Sequence, residues 1–154
     1  MASVDGNDPL LVGADPRTGV VAVEWVEGRG AAGDRMAIFT REGGRVTVAE
    51  EPFRPFLWLT DSLAGADLPG AEISALSGSG VLNRLAVFKS WKACVKAKAL
   101  LAQRSGIPAG SPSAPYFFLS DPVHQHLLRT GLTLFKGLRF DAQRRLQIDI
   151  ECRT

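Results

Sequence analysis

Sulfur, imidazole and phenol are scarce in this chain of 154 residues, which has two cysteines, two methionines, two histidines and one tyrosine. Cys94 and Cys152 stand far apart with no metal-ligand spacing around them, which excludes a disulfide framework and fits reduced thiols. No apolar run approaches the ~18 residues that cross a bilayer. The start, Met-Ala-Ser-Val-Asp-Gly-Asn-Asp, lacks the basic flank and apolar stretch of a secretory signal, so a soluble, cytoplasmic protein without membrane contact is expected. Acids are missing altogether from residues 73 to 120, where Arg84, Lys89, Lys92, Lys96, Lys98 and Arg104 fall. The net charge of only +2 hides this segregation, which predicts a basic face made by the middle of the chain. Internal repeats and coiled-coil heptads are absent too. Gly28-Arg29-Gly30 and Gly78-Ser79-Gly80 lack the spacing and lysine of a phosphate-binding loop and read as turns.

What remains is enough for one domain, or one domain and part of a second, with 45% apolar residues to fill a core. Residues 1–18 are rich in Gly, Asp and Pro and read as a flexible leader. Val20, Val21, Val23, Trp25 and Val26 predict a strand. Met36–Phe39 and Val46–Val48 flank Arg41-Glu42-Gly43-Gly44 and predict a hairpin. Phe53–Leu59 reads as a further strand of the same antiparallel sheet, with Pro55 near its start. Ile73–Leu76 and Val81–Phe88 are strand-like around the break at Gly78-Ser79-Gly80. Ser90 then caps a helix to about Arg104, with Ala93, Cys94, Ala97, Leu100 and Leu101 on its packed stripe and Lys92, Lys96 and Gln103 on its wet one. Tyr116–Leu119 reads as a short strand. Asp121 as cap, Pro122 at the first helical position and Gly131 as the left-handed stop delimit a second helix through Val123, Leu127 and Leu128. From Leu146 the chain alternates, with Leu146, Ile148, Ile150 and Cys152 on one side and Gln147, Asp149 and Glu151 on the other. The order of elements predicts an α+β fold: a strand-rich antiparallel domain with a β-α-β unit, followed by a terminal acidic strand.

The sharpest chemical feature is Asp149-Ile150-Glu151. Two residues apart on a strand, the carboxylates share a face with Cα atoms about 7 Å apart, and both can reach a hard divalent cation. Such ions polarise a phosphodiester and generate the attacking hydroxide in two-metal hydrolysis. The spacing alone is also that of any strand with one polar face. Lys89, Lys92 and Lys96, with Lys98, are candidates to meet the phosphates of DNA, against the plainer reading of a solvated helix face. Trp58, Trp91, Tyr116 and Phe117 are candidates to stack on unpaired bases, although their patterning favours core packing. His124 and His126, two apart on a helix, point in different directions and do not make a metal pair. Cys94, on the packed stripe with no base beside it, reads as structural.

Leu-Gln-Ile-Asp-Ile-Glu, residues 146–151, resembles the first 3′–5′ exonuclease motif of family B DNA polymerases, with Cys152 where that motif most often has Thr. The resemblance extends upstream over about residues 19–154. Phe53-Arg54-Pro55-Phe56 echoes a Phe-x-Pro-aromatic segment of the family's amino-terminal domain, and Arg84–Leu119 its strand-helix-strand unit. Asp121-Pro122-Val123 through Leu128-Arg129-Thr130-Gly131-Leu132 follows, and Thr133–Gly137 and Arg144–Gln147 look like the bacterial branch. After the flexible leader at 1–18, the resemblance implies an amino-terminal domain at 19–140 and, at 141–154, the start of an RNase H-like exonuclease. It further implies Asp149 and Glu151 as catalytic ligands of Mg2+ or Mn2+, DNA (template or single strand) as partner, and the remaining exonuclease and polymerase domains on the same chain. The 154 residues alone would be inactive. Archaeal members sense template uracil partly through a Phe-x-Pro-Tyr segment; Phe56 replaces that tyrosine here, so uracil sensing is not carried over. Two other readings stay open: a self-contained single-stranded nucleic-acid binding module without catalysis, and a free-standing RNase H-like nuclease.

Overall fold

A computed structural model describes residues 13–28 and 33–142. Strands β1 (Val20–Val26), β2 (Arg35–Glu42) and β3 (Arg45–Pro52) form an antiparallel sheet in that order. Their β-branched and aromatic residues suit a pleated surface. Gly43 and Gly44, with φ of 54° and 85°, make the two-residue hairpin turn that joins β2 to β3. The outer edge of β1 is occupied by the segment after the second helix: Phe135 donates its N–H to Val20 O and Gly19 to Lys136 O.

The chain leaves this sheet at Pro55. The Phe53 N–H still pairs with Asp34 O, but Pro55 has no N–H to extend the ladder, and its carbonyl instead accepts from Phe88 N. Strand β4 (Phe56–Leu59) therefore belongs to a second sheet with β5 (Ala71–Ala75), β6 (Arg84–Phe88) and β7 (Tyr116–Phe117), in the order β5-β6-β4-β7. This corrects the expectation that Phe53–Leu59 adds to the first sheet. Two predicted strands are also shorter than their apolar runs. β6 begins at Arg84, leaving Val81 81% exposed, and β7 ends at Phe117.

Helix α1 (Trp91–Ser105) follows β6, starting where Ser90 Oγ accepts from Ala93 N and stopping at Gly106, whose φ is 67°. Its buried stripe, Cys94, Ala97 and Leu101, packs on Leu57, Leu59, Ala86, Phe88 and Tyr116 of the second sheet. β6 and β7 each run antiparallel to β4, which lies between them, so the β-α-β unit is split by a strand from earlier in the chain. Helix α2 (Pro122–Thr130) has the predicted cap, first position and stop: Asp121 accepts from His124 N, Pro122 opens the helix, and Gly131 has a φ of 71°. Leu127 packs, with Trp91 of α1, against the first sheet's core of Val20, Met36, Ile38, Phe53 and Leu132.

Two antiparallel sheets and two helices make this a strand-rich α+β fold. Among the described residues no helix is long and apolar enough to cross a membrane. The predicted strand from Leu146, and with it the expected first strand of an RNase H-like domain, lies outside the described residues.

Candidate nucleic-acid interface

Asp149 and Glu151 lie outside the described residues. Among those described, no group of three or more His, Cys, Asp and Glu side chains is placed to hold a metal. The candidate lysines divide into two sets, with Lys89, Lys92 and Lys96 exposed and Lys98 half-buried. Lys92 and Lys96, one helical turn apart, line a cleft of about 670 Å³ between the β1–β2 connection and the start of α1, while Lys89 precedes the helix. Lys98 turns elsewhere, with its Nζ 5.0 Å from the centre of the Phe118 ring.

The acid-free stretch of sequence does not make an acid-free surface, because β1 and β2 bring Glu27 and Asp34 to the same cleft. Asp34 is only 7% exposed, and its carboxylate accepts from Gly28 N and from Trp91 N at the first turn of α1. A fixed carboxylate thus already occupies the positive end of the helix, where a phosphate would otherwise be favoured. Trp91 and Tyr116 are packing residues. Trp91 lies 6.1 Å from Trp25, 6.1 Å from Phe53 and 5.3 Å from Phe118 between ring centres, and the buried Tyr116 donates its hydroxyl to Ile107 O.

Trp58 and Phe117 are placed differently. They are Cα partners across β4 and β7, with ring centres 5.7 Å apart, on the sheet face opposite α1. Phe117 is 42% exposed, and the two rings with Leu82 line a shallow hollow of about 390 Å³. Of the four candidate stacking residues, these two are the ones brought together at a surface.

Four polar residues that organise the molecule had no recognisable signal in the sequence. Gln125, fully buried on α2, accepts from Phe56 N and donates to Leu119 O, so its amide bridges the start of β4 to the chain just beyond β7. His126 is 5% exposed, with Nε2 2.7 Å from Glu51 Oε1, while His124 stays in solvent, as the i, i+2 argument requires. Arg17 joins Glu51 to Asp15, and Asp15 in turn takes the N–H and side chain of Arg17. Asp34 completes the set. Nothing local distinguishes a buried Gln, His or Asp from a wet one. Cys94 is inert: burial pushes its thiol up to about 12, and Sγ points to Phe56 O. No protein-family model matches the chain, and comparison with curated proteins and with solved structures gives no significant match.

Proposed function

We propose that the chain is the amino-terminal part of a family B DNA polymerase with a 3′–5′ proofreading exonuclease. The observation that carries this reading is the order of segments. A strand-rich part containing Phe53-Arg54-Pro55-Phe56 precedes the unit built on β6, α1 and β7, then the doubly capped α2, then Asp149-Ile150-Glu151. The α+β architecture and the two caps of α2 agree with that order. On this reading residues 19–140 are a DNA-contacting scaffold. Asp149 and Glu151 are oxygen donors suited to Mg2+ or Mn2+, and too few to hold either ion tightly by themselves. The bound ions would supply a hydroxide nucleophile and neutralise charge on the phosphate. The further acids, and the polymerase chemistry, belong to the rest of the parent chain.

Two measurements test it. The encoding reading frame should continue past Thr154 into further acidic nuclease motifs and the Asp-rich polymerase motifs; a stop codon directly after Thr154 sinks the proposal. In the complete protein, Asp149→Ala or Glu151→Ala should abolish 3′–5′ degradation of a labelled primer while leaving primer extension intact.

The pairing of half-buried Trp58 with exposed Phe117 favours a second reading, a module that binds single-stranded nucleic acid without catalysis. Titrating a labelled oligonucleotide at low and high salt tests it, and the absence of binding at low salt rules it out.

A further inference from the structure

The face of the second sheet away from α1 sets aromatic rings, exposed at Phe117, half-buried at Trp58 and buried at Phe56, beside two arginines. Phe56 and Trp58 of β4, Leu85 and Val87 of β6 and Phe117 of β7 are neighbours across the ladder. They alternate with the core residues Leu57, Leu59, Ala86, Phe88 and Tyr116, and so share the face away from α1. Arg54 stands on this face as well. Its Nη2 lies 3.0 Å from Oε2 of Glu72, and Glu72 is the Cα partner of Val87. Arg129 of α2 comes up beside it, donating Nη1 to Arg54 O at 3.4 Å. Burial, and then the charge of Arg54, hold the Arg129 pKa below its ordinary value.

Arg54 thus pairs with Glu72, whose side chain is 69% exposed, while Arg129 meets the Arg54 backbone carbonyl. An arginine fork matches phosphate oxygens. Along the extended chain Arg54 is about 13 Å from Trp58, within reach of a dinucleotide. A ligand that fits both ends carries an anion and a free ring face. Single-stranded nucleic acid has both, whereas duplex bases hide their faces in the stack.

We propose that single-stranded DNA lies along this face, with a base against Trp58 and Phe117 and a phosphate between Arg54 and Arg129. This rests on the reading of the chain as a binder of single-stranded nucleic acid and names the surface that binds.

The test is fluorescence anisotropy of a labelled oligothymidylate with the 154-residue chain, at about 50 and 200 mM salt. Trp58→Ala and Phe117→Ala should each weaken binding about tenfold, and Trp58→Phe should retain it. Arg129→Gln should reduce the slope of log affinity against log salt by about 0.7, the loss of one phosphate contact. Circular dichroism identifies a variant that fails to fold, in which case Phe117→Ala and Arg129→Gln decide. If Lys92→Gln with Lys96→Gln abolishes binding while the ring variants bind normally, DNA uses the α1 cleft. The proposed surface is then overturned and the nucleic-acid reading stands. No binding by the unaltered chain at low salt overturns both. If sedimentation shows DNA-free self-association that Phe117→Ala removes, with oligonucleotide binding unchanged, the face is a protein contact and the proposal falls.

Discussion

Single buried polar side chains govern much of this molecule's response to its conditions. The Nε2–H of neutral His126 suits the Glu51 carboxylate, while burial, the dominant influence, holds the imidazole below its ordinary pKa of 6.5. A folded-state pKa below the unfolded one gives stability that is whole above about 6.5 and is lost as pH falls toward the lowered value. The thermal midpoint should therefore fall between neutral pH and pH 5, and His126→Gln should flatten that fall in a series of melts. Asp34 acts through backbone partners. Removing it orphans the N–H groups of Gly28 and Trp91, so Asp34→Ala should cost about 2 kcal/mol in urea denaturation and Asp34→Asn less. Neither role was legible in the sequence, because a buried His or Asp is defined by partners from distant segments, Glu51 and Trp91 in these cases.

Helix limits are the best-encoded elements, since a cap is chosen within four or five residues. Ser90, Asp121, Pro122 and Gly131 all take the positions that local chemistry assigns them. The two C-terminal glycines differ in surroundings. A Cβ at Gly106 would meet open space, but at Gly131 it would come 2.8 Å from Ala14 N. Gly106→Ala should cost about 1 kcal/mol for the left-handed backbone alone, and Gly131→Ala distinctly more, as read by chemical denaturation. Strand partners were not legible in this way. Phe53–Leu59 reads as one run, yet Phe53 enters one core and Leu57 and Leu59 the other, because Pro55 ends the ladder between them. Gln125 then secures the displaced strand. Gln125→Ala should speed hydrogen exchange at the Phe56 amide and cost about 1–3 kcal/mol.

On the scale of the whole molecule, two cores meet at Trp91, which begins the helix of the second sheet and packs against Trp25 and Phe53 of the first. Tryptophan fluorescence and far-ultraviolet circular dichroism should report one coincident unfolding transition, and Trp91→Ala should separate the two sheets' transitions while costing about 3 kcal/mol. The α+β class was legible in the order of elements. The basic face was not, because Glu27 and Asp34 approach α1 from more than fifty residues away in the chain. Cys94 is sealed in the second sheet's core. Where Cys152 is replaced by serine, an alkylating reagent can reach a thiol only when that core opens, so the labelling rate becomes a clock for the breathing of one sheet while the other stays silent.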